Sequence, residues 1–455
     1  MKKEIILSAL SGKLLWRRIL LAMITLIVVL LFFLPRDDYD QSFAVKKNLQ
    51  GKNLWAGFSK VSIGPVPVGT ALAGYDYGRE STGPMVSWLP LEVRVLILQP
   101  TEKTAGKDQV ILLGAIDVLG LSVPLLKSLK AIGEKFGISA DQQFWFASHS
   151  HSAPDLIGLW GGVEQSYLDH VLAQVNQATE EALSYRMLVE PWYASALTEP
   201  PDGSFAGKSS EGFQMSTLHA LQLRTSDETP WLDLVFYGAH PALLDRNWTL
   251  PSGGLASYLS NKLEKHYRRP FMFINSSLGS DNSIVLDGLN SANQIAATEE
   301  QVKSYFNGIL PWMELVYQRS EKLGFDGLGI ETKNISLKLG HSLLWFYNRI
   351  GWMPLNRDSE GDVVAGVSKI NFGSEFSLLC LPGSIFPVFE QQWTNLKGDI
   401  GIVSLCNDSV GYFVPPGAVG LDQNREDRFN LGVDNAERLS SIIVKWLKKD
   451  ETVVR

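Results

Sequence analysis

The sequence predicts a mixed α/β (α+β) fold: a single large domain over residues 56–455, with a mixed sheet flanked by helices, behind one N-terminal transmembrane helix. Three observations carry this. Strand-like and helix-like segments alternate from residue 56 onward with no Ser/Gly/Pro-rich linker to divide them. A chain of 455 residues with 45% hydrophobic content can bury a sizeable core. One uncharged apolar run near the N-terminus stands apart from the rest.

That run, Ile19 to Leu34, follows Lys13, Trp16, Arg17 and Arg18 and precedes Pro35-Arg36-Asp37-Asp38. With Leu14 and Leu15 it approaches the ~20 residues a spanning helix needs and exceeds a signal-peptide core. Ser42-Phe43-Ala44 resembles a cleavage site but lies well beyond the run, so an uncleaved anchor is expected. Lys2, Lys3, Lys13, Arg17 and Arg18 against Glu4 alone keep the N-terminus in the cytoplasm. Residues 1–36 are therefore read as tail and anchor, 37–55 as a tether, and 56–455 as a domain outside the cytoplasm, periplasmic or extracellular.

Within the domain, Ala56 to Gly64, Leu91 to Leu98 and Val110 to Ile116 read as strands, the last ending in Asp117. Leu121 to Phe136 and Val163 to Tyr185 carry helical periodicity, and Ala436 to Leu447 forms a closing amphipathic helix. Phe376 to Cys380 and Ile402 to Cys406 are apolar runs each ending in a cysteine, which predicts neighbouring core strands. Buried thiols are the expectation for the pair, with one disulfide as the alternative in an oxidising compartment. Two cysteines without a CxxC motif exclude a zinc-finger set.

The chain carries a net charge of −7, and beyond residue 36 it holds 35 basic against 47 acidic residues, a net −12. Nucleic acid is excluded as a natural partner. Such a surface gains nothing from anionic headgroups either, so the N-terminal helix rather than a basic patch must hold the protein at a membrane. The sequence leaves the oligomeric state open.

The chemistry-bearing residues are histidines at strand ends. Phe144-Trp145-Phe146-Ala147 runs into His149 and His151, spaced i, i+2. In an extended segment both rings face one side, the arrangement that presents two imidazoles to one metal ion. A second apolar strand, Trp231 to Ala239, delivers His240, and Pro241 stops it. Three of the seven histidines thus sit at strand ends, where α/β sheets place ligands and catalytic groups. His170, His219, His266 and His341 have no such placement and read as ordinary hydrogen-bonded residues.

Several blocks together resemble the neutral/alkaline non-lysosomal ceramidases. Ala56 to Ile63 with Leu72-Ala73-Gly74-Tyr75 is similar to that family's opening strand and glycine-tyrosine turn. His149-Ser150-His151-Ser152-Ala153-Pro154 resembles its His-Thr-His-Ser-Gly-Pro signature. Tyr237-Gly238-Ala239-His240-Pro241, followed by Pro251-Ser252-Gly253 and a helix, is similar to its third-histidine block, and Asn407-Asp408-Ser409-Val410-Gly411-Tyr412 to its late asparagine-to-tyrosine turn. The resemblance implies zinc-dependent hydrolysis of the amide joining an acyl chain to a sphingoid base. It places Zn2+ on His149, His240, Tyr412 and a glutamate. His151 then contacts the metal-bound water or the developing oxyanion, and Asp281 and Ser283 are catalytic by likeness to a glycine-aspartate-x-serine block.

Four departures accompany the likeness. The family's zinc glutamate follows a Pro-Gly pair, but here Leu381-Pro382-Gly383 leads to Ser384, and Glu390 is the next carboxylate downstream able to substitute. The aspartate and serine are displaced within Leu278-Gly279-Ser280-Asp281-Asn282-Ser283. Gln423-Asn424-Arg425-Glu426 stands where a later tyrosine would fall, and the longer ceramidases' C-terminal β domain has no counterpart. Leu156, Ile157, Leu159 and Trp160, directly after the histidine pair, line an acyl pocket or belong to the core. Leu343-Leu344-Trp345-Phe346-Tyr347 with Ile350, Trp352 and Met353 suits an interfacial lid or a buried helix. The expectation is a membrane-anchored, zinc-dependent amidohydrolase acting on a lipid amide. The alternative is a family member that lost zinc chemistry and serves as an envelope lipid-binding or scaffold protein.

Overall fold

The computed structural model describes residues 43–100, 109–198, 216–279 except Ala239, Ala242 and Asp245, 295–340, and 355–453 except Ser359, Gly361, Gly398 and 420–428, together with Met23 and Asn348. The Ile19 to Leu34 run, Met23 apart, lies outside the described residues, as do Asp281, Ser283 and, Asn348 apart, the aromatic cluster from Leu343 to Met353. Among the described residues no helix is long and apolar enough to cross a membrane.

The chain forms β1 (Ala44–Gln50), β2 (Leu54–Ser62), β3 (Glu92–Gln99), β4 (Ile111–Ile116), helix α1 (Val123–Lys135), β5 (Gln143–Ala147) and helix α2 (Gln165–Ser184). It continues through β6 (Arg186–Thr198), β7 (Ser216–Arg224), β8 (Pro230–Tyr237), α3 (Gly254–Tyr267), β9 (Phe271–Asn275), α4 (Ile295–Gln318) and β10 (Glu321–Lys322). β11 (Gly327–Leu337), β12 (Val363–Phe372), β13 (Phe376–Cys380), β14 (Ser384–Ile385), α5 (Pro387–Leu396), β15 (Ile400–Val403), β16 (Tyr412–Phe413) and α6 (Asn435–Val453) complete it. The first strands, α1, α2 and α6 fall where periodicity places them. β1 does not: it occupies part of the segment expected as a tether, where Leu49 turns into the core while its neighbours stay outward.

Two sheets, rather than one, organise the domain. The larger runs β5-β4-β3-β2-β6-β7-β8-β9 with β10 beside β6, and the smaller runs β1-β11-β12-β13-β15. Alternation explains why they stack. In β4, Leu113 and Ala115 join a core with Phe372, Phe376 and Leu378 of the second sheet, while Leu112 and Ile116 face the helices. In β12, Ile370 and Phe372 face the first sheet, while Val363, Ala365 and Val367 pack with Trp393 of α5 and Ile443 of α6. With α1 and α2 over one part of the larger sheet and α3 and α4 over another, the order of layers is helix, sheet, sheet, helix.

Helix α1 shows how the covering layer is specified. The Ser122 hydroxyl accepts from the Leu125 amide at its start, Pro124 occupies the first turn, and Leu125, Leu129 and Ile132 make one buried stripe. Each such leucine contributes about 1.5–3 kcal/mol by leaving water, so a charge at Leu129 would detach the helix from the sheet.

The two cysteines form a disulfide, Cys380–Cys406, with Cα atoms 5.2 Å apart. The buried-thiol expectation is corrected, while the expectation of neighbouring strands holds: β13 and β15 pair in parallel, with Cys380 opposite Val403.

Candidate metal centre

The larger sheet curls until its two edge strands meet. At the end of β9 the Asn275 side-chain amide donates to the Ala147 carbonyl at the end of β5, 3.1 Å away. The turn after β15 closes the same corner: the Ser404 amide donates to Asn275, and Asn407 lies along β5, its side chain accepting from the Trp145 amide at 3.0 Å and donating to the Gln143 carbonyl at 3.1 Å. The histidines and Tyr412 leave from this corner.

The sequence places the histidine pair correctly but gives the wrong reason for its convergence. β5 ends at Ala147, and His149 takes a left-handed backbone with φ of 60°, so simple alternation does not continue to His151. A non-glycine residue there stores strain that the surroundings must hold. The hold on the ring is a hydrogen bond: His149 Nδ1 donates to the Leu119 carbonyl at 2.6 Å. A carbonyl only accepts, so the proton is on Nδ1 and the Nε2 lone pair is free.

His151 is held by the glycine-tyrosine turn. Gly74 has φ of 100°, and a Cβ there would come within 2.8 Å of the His151 ring. Tyr75 meets that ring edge-on with centroids 5.0 Å apart, and its hydroxyl donates to the Leu244 carbonyl at 2.7 Å. Arg79, almost wholly buried, donates to the Ala73 and His151 carbonyls and binds turn to histidine. Its role escapes sequence reasoning, because a lone arginine in a loop carries no periodic signal.

His149, His151 and His240 form a near-equilateral triangle with ring centroids 4.9, 4.9 and 4.8 Å apart. Their ligand-capable atoms all lie within 4.8 Å of one another, and they are a candidate metal group among the described residues. The Tyr412 hydroxyl is 3.0 Å from His240 Nε2. His149 Nε2 and His240 Nδ1 are buried without a hydrogen-bond partner, and the His151 ring nitrogens, also buried, are approached only by the Gly74 backbone among the described residues. Burial drives the His149 pKa down to about 4 against the opposing hydrogen bond to Leu119, and it takes those of His151 and His240 well below the ordinary range, where repulsion from neighbouring rings, and at His151 from Arg79, adds to it. Neutral rings with open lone pairs, converging in a buried space, are a donor set that fits a borderline-soft divalent metal such as zinc.

Ser384 stands in the same place. It lines the pocket with His149, His151 and Tyr412, and in the parallel β14–β16 pair it is the register partner of Tyr412. Glu390 is not among the residues that line this pocket. Its buried carboxylate accepts from His219 Nε2 at 2.8 Å, from the Ser276 hydroxyl at 3.0 Å and from the Ser277 hydroxyl. Helix α5 points Glu390 towards His219 of β7, where a buried carboxylate finds three donors, and not into the cluster of His149, His151 and His240. His219 keeps its ordinary hydrogen-bonded role, as does His170 against the Gly64 carbonyl.

A cavity of about 240 Å³ opens from the centre. Ile157, Leu159 and Trp160 line it with Leu121, Val410 and Phe429, whereas Leu156 belongs to the core. Leu159 and Phe429 are more than half exposed and form the rim. Asp155, buried, shapes the lining loop by accepting from the amides of Gly158, Trp160 and Gly162 at 2.9, 2.6 and 3.0 Å. The arrangement is an apolar slot leading to a polar, metal-competent floor.

No family model and no curated protein matches the sequence. Solved structures do match. Neutral ceramidase from Pseudomonas aeruginosa superposes with a TM-score of 0.66 at 11% identity, over 86% of this chain and 73% of that one. A ceramidase complexed with C2 superposes with a TM-score of 0.65, also at 11% identity, over 86% of this chain and 74% of the other. The fold of this chain is that of the ceramidases, at a sequence divergence that leaves the fold as the shared feature.

Proposed function

We propose that the protein is a membrane-anchored, zinc-dependent amidohydrolase cleaving the N-acyl amide of a ceramide-like lipid. The observation that carries this reading is the convergence of His149, His151, His240 and Tyr412 beside an apolar pocket, on a ceramidase fold. His149, His240 and Tyr412 would hold the ion. The chemistry it would supply there is Lewis-acid polarisation of an amide carbonyl and a water of pKa ~7. The Leu119 carbonyl fixes the tautomer that leaves His149 Nε2 open, a supporting contact of the kind that tunes metal sites. The Asp155-held loop receives an acyl chain and excludes water from the floor. The Cys380–Cys406 disulfide supports a location outside the cytoplasm, since such bonds persist in oxidising compartments.

The test uses the full-length protein in detergent. Stoichiometric zinc and hydrolysis of a fluorescent N-acyl lipid are expected, both lost in His149→Ala while the fold survives. Protein that neither retains nor takes up zinc would overturn the proposal. Digestion of the large domain by protease added to intact spheroplasts checks its location; protection there would reverse the topology. One observation favours the second reading, a lipid-binding or scaffold protein without metal chemistry: Ser384 faces Tyr412 where a carboxylate is expected.

A further inference from the structure

We infer that His151 is itself a metal ligand in this chain, taking the coordination place that Ser384 leaves without a carboxylate. This rests on the metal reading above and deepens it, since it converts a two-histidine centre with an added acid into a three-histidine centre.

Geometry comes first. The three rings make a triangle whose sides differ by 0.1 Å (4.9, 4.9 and 4.8 Å), so His151 stands no farther from the centre than the other two. A residue that only touches substrate has no need to share that symmetry. Polar accounting points the same way. Both His151 ring nitrogens are buried. The Gly74 backbone approaches the ring, and a carbonyl there engages only the N–H, so the lone pair of the other nitrogen is unmet, a cost that an ion on that lone pair would offset.

Charge supplies the third argument. No carboxylate lines the pocket among the described residues, and Glu390 is committed to His219, Ser276 and Ser277. A divalent ion held by His149, His240 and Tyr412 alone lacks a strong third nitrogen or oxygen from an acid. Three histidines are a sufficient protein set for zinc with a position left open for water. The His151 ring is also pre-set: Gly74 admits it with no room for a Cβ, Tyr75 packs on its edge, and Arg79 holds its carbonyl. Such preorganisation spares the ordering cost of binding.

The test reads coordination directly. X-ray absorption of the zinc-loaded wild-type protein should show three imidazoles, and two would overturn the inference. His151→Ala should weaken zinc by more than the roughly 10- to 100-fold that loss of a mere supporting contact costs and change the visible spectrum of the cobalt(II) form. Adding Ser384→Glu to His151→Ala should restore zinc affinity by returning a ligand opposite Tyr412. If His151→Ala keeps wild-type zinc affinity and cobalt spectrum while His149→Ala abolishes both, the inference fails and the amidohydrolase reading stands. If the wild-type protein binds neither zinc nor cobalt, both fall together. The wild-type absorption measurement decides the matter even if His151→Ala does not fold.

Discussion

Ser384 and Tyr412 lie directly opposite each other in the parallel pair β14–β16, with the Ser384 amide donating to the neighbouring Gly411 carbonyl at 2.9 Å. Residue 384 is thus locked beside the tyrosine that meets His240. The backbone pairing delivers residue 384 to the pocket whatever its side chain.

Tyr412→Phe removes the hydroxyl 3.0 Å from His240 Nε2 and nothing else. Zinc affinity should fall by roughly 10- to 100-fold with unchanged thermal unfolding of the metal-free protein. Calorimetric titration with zinc checks this, and an unaltered affinity would remove Tyr412 from the centre.

Glu390 separates stability from metal binding. Glu390→Ala orphans His219 Nε2 and the Ser276 and Ser277 hydroxyls in a buried space, which should cost about 3 kcal/mol or more. The isosteric Glu390→Gln should leave zinc affinity untouched, because its carboxylate serves His219. Urea unfolding and zinc titration measure the two effects; loss of zinc from well-folded Glu390→Gln would contradict the assignment.

Breaking the Cys380–Cys406 link, with a sequence separation of 26, should lower stability by about 3–4 kcal/mol. Paired Cys380→Ala and Cys406→Ala substitutions test this by denaturant midpoint. Because Cys406 precedes the turn that carries Tyr412, zinc affinity should weaken as well. A variant as stable as the wild type would show that the loop is ordered without the bond.

Two buried carboxyls give an unusual pH dependence. Burial pushes Asp408 up to about 7 and Asp117 up to about 6, from an ordinary 3.8. The folded chain therefore holds these protons more tightly than the unfolded one. Stability present below pH ~4 is lost as pH rises through 6 and 7. Asp408→Asn keeps an acceptor for the Ser409 amide and cannot ionise, so it should stabilise the protein more at pH 8 than at pH 4.5. Urea unfolding in chelator at the two pH values checks the sign, and an equal effect at both would refute it.

The sequence by itself determined the elements and the identity of the chemical groups. Leu125, Leu129 and Ile132 announce a helix by spacing, β3 and β4 announce themselves as apolar runs, and His149, His151 and His240 stand out by their place after such runs. Those signals are local, since a side chain's direction within one element follows from helix or strand geometry. Only the tertiary structure decided how elements meet. Nothing local in β5 or β9 says that these edge strands close on each other through Asn275 and Ala147, or that one core joins two sheets. Nor does spacing reveal the left-handed turn at His149, which replaces the expected alternation, or the distant Leu119 carbonyl that orients its ring. Glu390 shows the limit most plainly: six residues from Ser384 in sequence, it is claimed by His219 on another strand, because a buried carboxylate goes where donors are.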